Sequence, residues 1–292
     1  MEPFESTTAA KSPSLFLLPS WTKADDRLTA GFSSRLGGIS ASPWNELNVG
    51  LHVGDSAEDV VRNRDLIAEA LGWPFEAWTC AEQVHGSRVH RVTAEDRGRG
   101  RESRESAIGD ADALMTNEQG ILLASFYADC VPLYFWDPRR EAVALAHAGW
   151  KGTVAEIAVR TVEAMVEAYE SQPADILAAI GPSIGGCCYE VDENVLRHVR
   201  PLLEELSAHG IAEAGSEERV AVNPSSPGKA RIDLKEINRQ IMIKAGILPT
   251  HIEITQWCTG CRTDLFFSHR TEQGRTGRMA SWIGLGRGAA RA

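Results

Sequence analysis

The chain has 292 residues, 43% of them hydrophobic, and a formal net charge of −10. That length buries a substantial core, while the acidic balance argues against nucleic acid and anionic membrane as partners, because phosphate contacts need clustered Lys and Arg. No apolar run approaches the roughly 20 residues that span a bilayer, and Glu2, Glu5 and Lys11 leave no room for the basic start and apolar core of a secretory signal, so a cytoplasmic location is expected.

In chain order, residues 1–14 are expected as a flexible leader, residues 15–284 as a single domain and residues 285–292 as a loose tail. Arg35-Leu36-Gly37-Gly38-Ile39-Ser40 and Asn45-Glu46-Leu47-Asn48 make a polar, glycine-bearing stretch. It either carries Arg35 and Asn48 toward a ligand, where a forked guanidinium suits phosphate or carboxylate, or is an ordinary loop. Ser56 with Asp59 opens a helix that places Val60, Ile67 and Leu71 on one face and ends at Gly72. Residues 97–106 contain no apolar side chain and read as a mobile surface loop. The interspersed acids Glu95, Asp96, Glu102 and Glu105, with no aromatics, weigh against RNA binding there. Apolar runs over 121–127, 142–146, 176–180 and 252–255 read as strands, the first three buried. Thr153 with Glu156 opens a second helix with the stripe Val154, Ile157, Ala158, Val162, Met165, Val166 and Tyr169. The run 181–186 is a substrate-lining loop or simply a strand exit. Asp233 with Glu236 opens a third helix, with Leu234, Ile237, Ile241 and Ala245 inward and Gly246 at its exit. Strands and helices mix without strict alternation, which predicts an α+β or mixed layered fold.

Three soft-metal ligands stand in turns beside these runs: His85 in Gln83-Val84-His85-Gly86, Cys130 in Ala128-Asp129-Cys130-Val131-Pro132, and His147 in Ala146-His147-Ala148-Gly149-Trp150. Two imidazoles and a thiolate suit zinc or copper and leave a fourth tetrahedral position open, the mark of a catalytic rather than a structural ion. Cys130 and His147 fit adjacent strands joined by the turn at Asp137-Pro138; spacing does not place His85. The same residues also read as a cysteine–histidine nucleophile pair in which Asp129 orients the histidine. Gly149-Trp150-Lys151-Gly152-Thr153 joins a strand end to a helix start, and is either an anion seat with Lys151 as its charge or a plain tight turn. It lacks the order of a Walker A loop. Six cysteines, at 80, 130, 187, 188, 258 and 261, read as reduced thiols in a chain too long to need disulfide staples. Cys187-Cys188 with Cys258-x-x-Cys261 is expected to be structural thiols, because adjacent cysteines rarely ligate one ion together. Arg270 and His269 are expected at the cleft rim.

With these residues in place, the sequence resembles the YfiH-type laccase-domain family, also described as multicopper polyphenol oxidases and as purine nucleoside phosphorylases. The matching strings are Arg35–Ser40 with Leu47–Gly50, His52–Asp55, Gln83–Gly86, Ala111–Leu114, Ala128–Pro132, His147–Gly152, Ile180–Val191 and Trp257–Gly277. The resemblance implies one α/β/β/α sandwich with mixed sheets. It implies zinc, with copper as the alternative, on His85, Cys130 and His147. It implies phosphorolysis of adenosine, inosine and methylthioadenosine to base and pentose 1-phosphate, with some adenosine deamination. Cys130, His147, His85 and Asp129 are then the catalytic candidates, and Arg35, Asn48, Lys151 and Arg270 the substrate contacts. The partners are a purine nucleoside and phosphate; the oligomeric state stays open. No proton donor to the leaving base is assigned, Asp129 and His52 being the candidates. Lys151 stands where arginine is common in relatives, and Ser268-His269-Arg270-Thr271 replaces their frequent Ser-Tyr-Arg-Arg. Two alternatives remain: a cysteine-type hydrolase that edits peptidoglycan precursors, and a copper-dependent polyphenol oxidase. The second needs more histidine clusters than eight scattered histidines readily supply.

Overall fold

The computed structural model describes residues 2–7, 13–208, 221–222 and 228–286. Its strands form two large mixed sheets and one small one. The first sheet runs β1 (Glu5–Ser6), β2 (Leu15–Leu17), β3 (Leu28–Ser33), β15 (Met279–Leu285), β7 (Leu122–Tyr127), β4 (Trp78–Cys80). The second runs β14 (Ile252–Ile254), β10 (Leu177–Ile180), β8 (Val131–Asp137), β9 (Ala142–Ala148), β6 (Ala113–Thr116), β5 (Val89–Arg91). The small sheet is β11 (Glu190–Asp192), β13 (Lys229–Ile232), β12 (Ala221–Val222). The helices are α1 (Pro19–Ala24), α2 (Ala57–Leu71), α3 (Trp150–Val154), α4 (Ile157–Tyr169), α5 (Glu193–Ala208) and α6 (Leu234–Lys244).

The period of two along each strand explains the layers. In β7, Leu123 and Tyr127 face the same core as Tyr134 and Trp136 of β8 and Val143 and Leu145 of β9. The alternate residues Leu122 and Ala124 pack with Ile67 of α2. On the far side of the second sheet, Val131, Leu133 and Phe135 meet Ile157, Val162 and Met165 of α4 and Ile237 and Ile241 of α6. Both faces of each central strand are therefore covered, and the strands read as continuous apolar runs rather than alternating ones. Aromatic side chains knit the middle layer; Phe16, Phe32, Phe266 and Tyr134 are at most 1% exposed, each contributing on the order of 2 kcal/mol. The Tyr134 hydroxyl donates to the Gly31 carbonyl at 2.8 Å, tying one sheet to the other. The result is the mixed, layered, single-domain architecture expected.

The helix signals hold at α2, where the Ser56 side chain accepts from the Asp59 N–H and Gly72 closes the helix at φ 71°. They hold at α6, where Asp233 accepts from Lys235 and Glu236. They fail at Thr153. The helix expected from there begins earlier, at Trp150, breaks at Glu156 in the left-handed region (φ 54°) and restarts at Ile157. Thr153 does not cap it; its hydroxyl is buried and accepts from Asn238. α5 escaped notice because Pro201 interrupts an otherwise regular stripe of Leu196, Val199, Leu202, Leu203 and Leu206. At the ends, β1 pairs with β2 and Phe4 is 1% exposed, so residues 2–7 of the expected leader are built into the first sheet. Leu285 closes β15 rather than starting a tail; residues 8–12 and 287–292 lie outside the described residues. No helix among the described residues is long and apolar enough to cross a membrane.

The 97–106 segment is packed rather than loose. Arg64 of α2 is 1% exposed, and its guanidinium donates to the carbonyls of Val49 (2.9 Å), Gly100 (2.8 Å) and Arg101 (2.8 Å). A charge on the buried face of a helix thus replaces the apolar side chains that the segment lacks.

Candidate metal centre

The β8–β9 hairpin brings Cys130 and His147 together: Pro132 pairs with His147 and Val131 with Ala148, so the residue before β8 lies beside the end of β9. His85 comes from the loop between β4 and β5, and one carboxylate places it. The N–H groups of Val84, His85 and Gly86 all donate to Asp112, at 3.2, 3.0 and 2.7 Å. That clasp holds His85 at φ 60°, a conformation a non-glycine residue keeps only when its surroundings dictate it. The same carboxylate takes a hydrogen bond from His147 Nδ1 at 2.9 Å. Nδ1–H therefore faces Asp112 and Nε2 is left as the donor atom toward a metal.

His85 Nε2 lies 3.9 Å from Cys130 Sγ, and one ligand atom from each of His85, Cys130 and His147 falls within 4.8 Å of the others. Nitrogen and sulfur bound to one tetrahedral zinc would stand about 3.5 Å apart. The donor set, the separations and the carboxylate behind one histidine therefore fit a metal ion. Gly149 makes the convergence possible, since a Cβ there would sit 2.9 Å from the His85 ring and 3.1 Å from Cys130 Sγ.

The trio is electrostatically coupled. Burial alone would raise the Cys130 thiol, but the charge and hydrogen bond of His147, with His85 beside it, outweigh that and bring it down to about 6. Burial alone would lower His147, but Cys130 and Asp112 raise it to about 9. For Asp112, burial is opposed and outweighed by the hydrogen bonds from His147, Gly86 and Val84, leaving its pKa lowered. Without metal the pair is thus thiolate and imidazolium near neutral pH.

Two cavities meet at this point. The larger, about 560 Å³, is lined by His52, Gln83, His85, Arg104, Phe126, Cys130, His147, His269 and Arg278, among others. The smaller, about 290 Å³, is lined by His85, Asp129, Cys130, Trp150, Lys151, Ile184 and Tyr189 with their neighbours. His52 borders the larger cavity and is lowered to about 4 by partial loss of hydration there and then by the guanidinium charges of Arg278, Arg104 and Arg64.

The other expected residues divide. Lys151 and Asp129 border the smaller cavity. Contrary to the expectation that Asp129 orients His147, at φ 84° its carboxylate turns away and accepts from the Thr259 hydroxyl (2.6 Å) and the Arg270 N–H (2.7 Å). Asp112 does the orienting instead. Arg35 lies outside both cavity walls: its guanidinium donates to Asn45 and Thr263 carbonyls, pairs with Glu272 at 3.0 Å and covers the Phe267 ring. Asn48 is fully buried; its amide donates to Asp55 and its Oδ1 accepts from the Arg278 N–H at 2.8 Å, so it supports a cavity residue without lining the cavity. The Arg270 guanidinium donates to the Glu190 carbonyl and stacks over Tyr189. Sequence reasoning missed Asp112, Arg104, Phe126 and Arg278. Only Asp112 left a trace, in the Ala111–Leu114 string; the others belong to segments that meet solely in the fold.

Comparison with known proteins follows the same lines. The family model described as multi-copper polyphenol oxidoreductase laccase matches residues 29–286. The protein named purine nucleoside phosphorylase YlmD of Bacillus subtilis is 41% identical over 286 residues, 97% of each chain. Its namesake from Geobacillus stearothermophilus is 45% identical over 255 residues, 87% of this chain and 89% of that one. The crystal structure of YlmD from Geobacillus stearothermophilus superposes with a TM-score of 0.88 at 40% identity, covering 98% of this chain and all (100%) of that one. Neisseria meningitidis protein NMB0706 does so with a TM-score of 0.74 at 28% identity, over 98% of this chain and 100% of that one. By sequence across nearly its whole length, and by fold, the chain belongs to the multi-copper polyphenol oxidoreductase laccase family, the YfiH-type laccase-domain proteins.

Proposed function

We propose that the protein is a zinc-dependent purine nucleoside phosphorylase acting on adenosine, inosine and methylthioadenosine, with adenosine deamination as an accompanying activity. One observation carries the reading: His85, Cys130 and His147 converge at a cavity that is also lined by the aromatic ring of Phe126 and by three arginines, Arg64, Arg104 and Arg278. Relatives named purine nucleoside phosphorylase support it. When bound, zinc supplies a Lewis acid at the open side of the three ligands.

In phosphorolysis a phosphate oxygen forms a bond to the anomeric carbon as the bond to the purine nitrogen breaks, and the departing base takes a proton. Phe126 offers an apolar wall for the base, with the Arg64 guanidinium 4.3 Å from the centre of its ring. Arg278 is pinned by Asn48 behind it and by the carbonyls of Thr276 and Gly277, and it supplies the positive charge that phosphate needs; Arg104, paired with Glu82 at 2.6 Å, adds to it once phosphate displaces that carboxylate. His52, neutral near pH 7, is a donor or acceptor for a ribose hydroxyl rather than a phosphate contact. Lys151 in the smaller cavity is a second anion contact. Asn48 acts through Arg278, and Arg35 and Arg270 shape the surrounding loops. Asp129, held by Thr259 and Arg270, braces the turn that presents Cys130.

Incubation with adenosine and phosphate should release adenine and ribose 1-phosphate in equal amounts, and Cys130→Ala should abolish this. Absence of phosphate-dependent adenine release from the metal-loaded protein overturns the assignment. A polyphenol oxidase with several coppers is disfavoured by the ligand inventory: among the described residues the potential metal-ligand groups are this trio and one set of four cysteines. A second reading has its own support. The thiolate Cys130, imidazolium His147 and carboxylate Asp112 form a cysteine–histidine–aspartate array when metal is removed. Amide hydrolysis by metal-stripped protein, lost on alkylation of Cys130, would favour that reading.

A further inference from the structure

Between Ile184 and Tyr189, which line the smaller cavity, the chain carries Cys187 and Cys188, and their sulfurs meet those of Cys258 and Cys261 from 71–74 residues further along the sequence. Cys187 Sγ is 3.5 Å from Cys258 Sγ and 3.4 Å from Cys261 Sγ, and Cys188 Sγ is 3.4 Å from Cys261 Sγ. All four sulfurs lie within 4.8 Å of one another. We propose that Cys187, Cys188, Cys258 and Cys261 form a structural zinc site, separate from the His85–Cys130–His147 centre.

Four thiolates at about 2.3 Å from a tetrahedral zinc stand about 3.8 Å apart; the contacts of 3.4–3.5 Å are a few tenths of an ångström tighter, so a small outward shift of the sulfurs would admit the ion. The contacts also share sulfurs: Cys261 meets both Cys187 and Cys188, and Cys187 meets Cys258 as well. A disulfide would join two sulfurs and abandon this arrangement, whereas one ion satisfies all four. Adjacent cysteines point apart in an extended chain. Here the backbone turns through Gly185, whose carbonyl accepts from the N–H groups of Cys188 and Tyr189, and both sulfurs swing to the same side. The Gly185 N–H donates to Cys258 Sγ at 3.2 Å, a bond that favours the thiolate form. Glycine also leaves room for sulfur on the facing loop, since a Cβ on Gly260 would sit 2.9 Å from Cys188 Cβ and 3.2 Å from its Sγ. Lys235, 6% exposed, donates to the Thr255 and Trp257 carbonyls at 3.1 and 3.0 Å. It brings a buried positive charge to the segment that enters Cys258, where four thiolates and one divalent ion carry a net negative charge.

No electrons move on binding. The sulfurs coordinate as thiolates, and their protons go to solvent. The ion would fasten the loop after β10 to the loop after β14, the two loops that also hold Ile184, Tyr189 and the Asp129–Thr259 bond. Its role is to fix a cavity wall, and it touches no reacting atom.

Cys130→Ala isolates this site from the mixed-ligand centre, so the two assignments fail separately. Full-length Cys130→Ala protein, purified without added metal, should carry one zinc per chain by elemental mass spectrometry, with four thiols protected from an aromatic disulfide until the zinc is chelated. After stripping and refilling with Co²⁺, it should show the charge-transfer absorption of a cobalt tetrathiolate. Cys258→Ser/Cys261→Ser added to that background should remove both the zinc and the absorption. The stripped Cys130→Ala protein gives the decision by itself where the triple variant does not fold: one Co²⁺ with the tetrathiolate spectrum supports the site. Failure to bind, copper in place of zinc, or intramolecular disulfides among the four cysteines overturns it.

Discussion

The protein places its thiols in two ways. Around Cys130, one sulfur and two imidazoles face a cavity, and a single carboxylate, Asp112, fixes both histidines. Around Cys258, four sulfurs face one another and glycine backbone presses against them. On an ion, the first arrangement would leave a coordination position open to a substrate; the second would close the shell with protein atoms. Openness therefore comes from the number and mixture of donors, and from the cavity beside them, rather than from cysteine itself.

The largest expected effect separates the two clusters outright. Cys130→Ala should lower phosphorolysis by more than about 100-fold and remove one metal equivalent while leaving the four-thiol ion in place, as elemental analysis with a product assay would read. Retention of both metals, or of full activity, would break the comparison. Next, the open centre depends on a wall with no apolar side chains. Arg64→Met leaves the carbonyls of Val49, Gly100 and Arg101 without donors and should destabilise the protein by about 3 kcal/mol, read as a lower urea midpoint. Cleavage by trypsin should increase first within 97–106.

Asp112→Asn tests the shared carboxylate. Loss of its charge and of one acceptor should weaken metal at the mixed centre by about 10–100-fold in chelator competition, with the four-thiol site unchanged. An equal loss at both sites would mean general misfolding rather than ligand orientation. The last test is one of pH, where each single unit changes less than the substitutions do. In the metal-free protein Cys130 is depressed to about 6 and His147 elevated to about 9, so between these values the thiolate is ready and His147 must shed one proton. Affinity at the mixed centre should rise about tenfold per pH unit in that window, level off above it, and fall more steeply below about 6 as the thiolate is protonated. With the four-thiol site already filled, calorimetry in buffers of different ionisation enthalpy should report about one proton released per ion at neutral pH; zero would deny the imidazolium.

The sequence by itself determined the local and the periodic. The Ser56 and Asp233 caps, the buried strands, and the convergence of Cys130 with His147 across one hairpin follow from short-range chemistry and side-chain alternation. The family strings supplied the third ligand and the layering. Only the tertiary structure decided which carboxylate serves the histidines. Asp129 is Cys130's neighbour in the chain, yet its positive φ sends it to Thr259, while Asp112 arrives across the pairing of β6 with β9. Nor could spacing reveal that a turn at Gly185 aims two adjacent cysteines at one point, or that Arg64 carries a loop without apolar side chains. Such contacts join segments tens to hundreds of residues apart. Their geometry depends on how the sheets stack, and neither periodicity nor local propensity encodes that.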